Sequence, residues 1–189
     1  VARMRGKKAR RVAVAVAVPT VAVAGLGLYW FQPWKLWVDE EVKEELPVAA
    51  EPAARQPSPG ADATGAPSSP ASGPRTVADG ELVTHEHRTT GTVRVLRLDD
   101  GSHVLRLEGL DTSNGPDLHV WLTDAPVIEG KDGWHVFDDG EHVSLGRLKG
   151  NKGDQNYPLP SGVDPADFNS VTIWCDRFDV SFGAAELSV

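Results

Sequence analysis

The chain has 189 residues, with 19 Lys and Arg against 27 Asp and Glu, and a formal net charge of −8. It holds a single Cys and a single Met. One Cys excludes an intrachain disulfide, a Cys-pair zinc site and a c-type haem attachment. An acidic balance argues against nucleic acid as a partner, which calls for a basic face.

Residues 1–11 (VARMRGKKARR) carry six cations and no acid. Residues 12–31 (VAVAVAVPTVAVAGLGLYWF) then run without a charge. At 1.5 Å rise per residue, twenty such residues span about 30 Å, the thickness of a bilayer's hydrocarbon core. Tyr29, Trp30, Phe31, Trp34 and Trp37 crowd the far end, as interfacial aromatics do. The expectation is a transmembrane signal anchor over 12–31, with the lipid bilayer as partner. The basic tail would stay cytoplasmic and everything after Trp37 would be exported. The competing reading, a cleaved signal peptide, needs a small-residue cleavage site, and this run ends in bulky Tyr29-Trp30-Phe31. The expected location is a cell membrane crossed once, with the C-terminal part extracytoplasmic. Val in place of Met at position 1 fits an alternative bacterial start codon or a trimmed chain.

Residues 32–75 read as a juxtamembrane segment and a disordered linker. Asp39–Glu45 (DEEVKEE) is an acidic run, expected as a solvated face or one or two helical turns. From Pro47 to Pro74 seven prolines fall among Ala, Ser and Gly, with no aromatic. Such composition cannot bury enough apolar surface to offset chain entropy. Extended at ~3.1 Å per residue, it makes a stalk reaching on the order of 80 Å.

Residues 76–189 change grammar. Short apolar runs alternate with Gly, Asp, Asn and Pro turns, which predicts an all-β domain, an antiparallel β-sandwich or barrel. Strands are expected at 91–98, 104–107, 118–122, 142–148, 171–175 and 178–182. Asp99-Asp100-Gly101 marks a hairpin turn. Asp164–Phe168 (DPADF) predicts one helical turn, capped by Asp164 with Pro165 in first position. Twenty acids against nine bases make this domain markedly acidic. Strand alternation puts Val171, Ile173 and Cys175 on one face and Thr172 and Trp174 on the other. It likewise separates Leu118, Val120 and Leu122 from Asp117, His119, Trp121 and Thr123. His85 and His87, two apart, are expected to project to one side.

Four separated motifs occur in order: HEHRTTGTV (85–93), GPDLHVWL (115–122), SLGRLKGNKGDQNYPLP (144–160) and SVTIWCDRFDVSFGAAEL (170–187). Together they resemble the DM13 domain over about residues 80–188. The resemblance implies a DOMON-like β-sandwich and an electron-transfer or redox module. It maps that family's signature Cys, as a bare thiol or a ligand of a group such as haem, onto Cys175. It also raises His119, which lies inside the GPDLH motif.

The residues themselves leave alternatives open. Cys175 is a redox thiol, its pKa lowered by adjacent Arg177, or a small buried hydrophobe. His119 is a cofactor ligand or a half-buried hydrogen-bonding histidine. His85 and His87 form a weak metal-chelating pair or a polar strand edge. A His/Met haem is excluded for the domain, because the one Met is Met4. No His or Met follows Cys175, which disfavours a blue-copper site. No phosphate loop and no nucleophile elbow is present. The cofactor is thus unassigned: none, with a bare thiol, or a b-type haem. The expected function is electron transfer or thiol redox centred on Cys175, shielded by Trp121 and Trp174, with a protein redox partner. The alternative is a non-catalytic cell-surface binding or scaffold module in which Cys175 is core.

Overall fold

The computed structural model describes residues 19–47 and 73–188. The basic tail, the first part of the apolar run and the linker from 48 to 72 lie outside the described residues.

Residues 19–31 are helical. Their apolar side chains face outward, with Val21, Val23 and Tyr29 each 70% exposed. No helix among the described residues is long and apolar enough to cross a membrane. The helix ends at Gln32, whose positive φ of 43° turns the chain into a 3₁₀ helix at Pro33–Trp37.

Ten strands follow among the described residues: β1 (Glu41–Lys43), β2 (Arg75–Glu81), β3 (Val83–Thr84), β4 (Thr90–Arg97), β5 (His103–Asp111), β6 (Leu118–Thr123), β7 (His142–Arg147), β8 (Lys152–Pro158), β9 (Ser170–Cys175) and β10 (Val180–Glu186). They make two five-stranded sheets, ordered β1-β8-β5-β4-β2 and β3-β10-β9-β6-β7. The inner faces share one core. Val93, Leu105, Leu107, Leu110 and Tyr157 of the first sheet meet Leu118, Val120, Leu122, Val171, Ile173 and Phe182 of the second. This is the expected sandwich, with one correction: β1 runs parallel to β8, so the first sheet is mixed.

The alternation forecast holds on β6 and β9. Val171, Ile173 and Cys175 enter the shared core, while Trp121 and Trp174 join a second cluster on the outer face of their sheet. The segment between β6 and β7 covers that outer face with Phe137, which is fully buried. The hairpin forms where Asp99-Asp100-Gly101 predicts it. Gly101 takes φ 83°, and the Ser102 N–H and hydroxyl both bond Asp100 Oδ1, at 2.9 and 2.6 Å. The DPADF turn is a 3₁₀ helix at Pro165–Asp167, with Asp164 Oδ1 accepting from the Ala166 N–H at 3.0 Å.

Three expectations change. The acidic run Asp39–Glu45 is no pair of helical turns; its centre is strand β1. Phe178 belongs to a turn and is 41% exposed, so the last strand starts at Val180. The polar stretch KGDQNYP, which has no apolar alternation, forms β8 between β1 and β5. Its buried Gln155 compensates with a full set of partners. Gln155 Oε1 accepts from the Lys149 and Gly150 N–H groups and the Tyr157 hydroxyl, and Nε2 donates to the Gly150 carbonyl at 2.7 Å.

Candidate functional site

Cys175 is the last residue of β9, paired with Leu118 on β6 and Val180 on β10. Its position is set by alternation: it ends the inward row begun by Val171 and Ile173. The residue is fully buried, and the thiol is free. Burial pushes the thiol pKa up, because a thiolate would lose its hydration. The backbone N–H groups of Arg177, Phe178 and Asp117 pull the other way without prevailing. The Arg177 side chain does not lower the thiol pKa as expected. Its guanidinium lies over the Trp30 ring, 5.1 Å from the centroid, and donates to the Trp30 carbonyl.

Past the end of β9, a charged cluster gathers around Asp176. His119 Nε2 is 3.2 Å from Asp117 Oδ1 and 3.5 Å from Asp176 Oδ2. Arg147 Nη2 closes on Asp117 at 2.7 Å. The strand register explains the assembly: His119 sits opposite Arg147 on β7 and opposite Trp174 on β9. Asp176, one residue past the strand, is held above the usual carboxylate range by burial and by Asp117 and Asp179. The charges of His119 and Arg147 oppose that shift. The sequence pointed to His119, and alternation placed Asp117 on its face. It did not point to Arg147 or Asp176, because only cross-strand register brings them together.

The outer face of the same sheet carries an aromatic row. Trp174 stacks on Trp121 at 5.1 Å, and Trp121 stacks on exposed His142 at 4.1 Å. Trp121 and Trp174 therefore do not shield Cys175 as expected, since they occupy the opposite face from the sulfur. Further along, His85 Nδ1 meets Ser181 Oγ at 2.8 Å, and Ser181 Oγ meets Thr172 Oγ1 at 2.8 Å. His85 Nε2 is buried without a hydrogen-bond partner.

His85 and His87 engage different partners. His85 packs 5.7 Å from Phe137 and bonds Ser181, whereas His87 lies 4.0 Å from Phe182. Residues 85–87 form a bend, so the strand alternation that would align them does not apply. Burial lowers the pKa of both rings, because the protonated form would lose its hydration. Among the described residues there is no group of three or more His, Cys, Asp or Glu arranged to hold a metal.

A haem shared by Cys175 and His119 does not fit. The sulfur is enclosed by the packed core, and the His119 nitrogen is taken by two carboxylates. What the arrangement offers is a water-excluded thiol at the strand end from which the charged cluster begins, at Asp176. A ring stack leads from the neighbouring residue to the surface.

A family model described as Electron transfer DM13 matches residues 81–187, more than half of the chain. No curated protein and no solved structure matches the chain.

Proposed function

Since the chain belongs to the electron transfer DM13 family, we propose that it is an electron-transfer module held at a membrane, with Cys175 as its redox centre. The observation that carries the proposal is a buried free thiol whose next residue in the chain, Asp176, belongs to the Asp117–His119–Asp176 cluster. A neutral thiol gives up an electron only with its proton. Oxidation of Cys175 passes one electron to a one-electron carrier protein, and the thiol proton goes to a carboxylate of the cluster or to the His119 imidazole. Reduction reverses both. Trp174, next in chain to Cys175, and its stack through Trp121 to His142 form an aromatic route to the surface. The outward apolar side chains of residues 19–31 suit contact with lipid, which supports anchoring over 12–31.

A second reading has its own observation. Complete burial of Cys175 within the shared core also suits a purely structural residue in a surface-displayed binding or scaffold module. One experiment separates the two. The full chain and its Cys175→Ala variant are titrated with outer-sphere one-electron oxidants, followed by absorption and spin resonance, with metal analysis alongside. A reversible signal in the parent that is absent from Cys175→Ala supports the redox centre. Redox-silent behaviour of both proteins leaves the scaffold reading in possession. For the anchor, labelling from outside intact cells reaches the domain and not the tail; the opposite pattern overturns the orientation.

A further inference from the structure

The outer edge of β8 is occupied by a segment that precedes the family domain. Glu41, Val42 and Lys43 pair with Lys152, Gly153 and Asp154. The ladder extends through Glu44 N–H to the Asp154 carbonyl at 3.0 Å and Lys152 N–H to the Glu40 carbonyl at 3.2 Å. Buried polar side chains read the segment's backbone. Arg106, 5% exposed, donates from Nη1 to the carbonyls of Glu44 and Glu45 at 3.0 and 3.2 Å. Asn151, 1% exposed, accepts from the Glu40 N–H at 2.7 Å and donates to Asp39 Oδ1 at 2.9 Å. Two carboxylates five residues apart are gripped by cations. Lys152 Nζ is 2.9 Å from Asp39, and Lys149 Nζ is 2.7 Å from Glu44.

The groove has no room for side chains beneath the segment. A Cβ at Gly150 would stand 2.3 Å from the Glu40 carbonyl oxygen, and one at Gly153 would stand 2.0 Å from that of Val42. Pairing also removes an open sheet edge, which is otherwise a template for association. Added strands of this kind take affinity from main-chain bonds and selectivity from alternate side chains.

We propose that the β8 edge is a peptide-docking site for the chain's own acidic segment Asp39–Glu45, and that its docking latches the domain to the preceding helix. The described residues on either side of the Pro-rich stretch are both anchored, those before it on β8 and those after it in β2 from Arg75. Latched, the domain rests against the helix end, with Phe31 stacked on Phe178 at 5.9 Å. Released, it loses that contact and the β1 ladder.

The test uses the full chain in a Cys175→Ala background with Glu41→Cys and Lys152→Cys, oxidised by glutathione disulfide at low protein concentration. The expected product is an intrachain disulfide in a monomer. Gly150→Ala slows its formation about tenfold, through the backbone clash. Lys149→Glu slows it about threefold, and adding Glu44→Lys restores it. Amide exchange in β9 reports whether each variant stays folded, and the charge pair carries the test if Gly150→Ala does not. A disulfide formed only between copies overturns the latch, as does a rate indifferent to both the Gly150 and the Lys149 changes.

Discussion

The depth of the Cys175 thiol sets a measurable reactivity. The residue has no exposed surface, and β9 is flanked on both sides, by β6 and by β10. A reagent reaches the sulfur only if those strands part, which opens the core. Domains of this size have unfolding free energies of about 5–15 kcal/mol, and openings of core strands approach that value. At about 1.4 kcal/mol per decade, even the low end protects the thiol by more than a thousandfold. The raised thiol pKa adds to this, because the thiolate is the reacting form. Iodoacetamide labelling of the native chain, compared with the chain in strong guanidinium chloride, measures the ratio. The labelling rate is expected to climb with denaturant along the slope of global unfolding. A native rate within about tenfold of the unfolded one would mean a local path to the sulfur and would refute the argument.

Three other outcomes follow from the same structure. Burial raises the Cys175 pKa and takes Tyr157 to about 12, so both groups resist ionisation when folded. Their unfolded values are about 8.5 and 10, so their stabilising effect is complete below about pH 8.5 and is lost as pH rises through the folded values. Denaturant midpoints should fall on the alkaline side, less steeply in Cys175→Ala; a flat profile counts against it. Gln155→Ala strips the partner from the Gly150 N–H and carbonyl and leaves the Lys149 N–H and the Tyr157 hydroxyl only each other. It should cost about 3–5 kcal/mol in chemical denaturation, and a loss below about 1 kcal/mol would show that water replaces the amide. Glu44 faces Lys149, the Asn156 N–H and Arg106. Burial pushes its carboxyl up, but the Lys149 contact, that N–H and the two positive charges together hold it below the usual range. Docking of β1 is thus strongest above about pH 4.3 and weakens as pH falls through the docked value. Intrinsic-rate-corrected exchange at the Glu44 amide should rise on acidification before that of β9, and simultaneous loss of both would contradict the order.

Much of the fold was legible because period-two alternation writes each strand's buried face into the chain. Leu118, Val120 and Leu122 and Val171, Ile173 and Cys175 show it plainly. Strand β8 was not legible, since Gly153, Gln155 and Asn156 offer no apolar period and its stability comes from side-chain hydrogen bonds. Strand β1 was hidden for a related reason. Its acids look solvated until Lys149, Lys152, Arg106 and Asn151 are brought beside them by distant strands.

The amino-acid sequence by itself determined the family, the all-β class, the inward row that ends in Cys175 and the separate apolar character of residues 12–31. These are one-dimensional properties: motif order, alternation and hydropathy. Only the tertiary structure decided what surrounds them. It closed the core over the sulfur, joined His119 to Asp176 and Arg147, and bound the acidic segment to β8. Each of these rests on register between strands far apart in the chain, which local pattern does not encode.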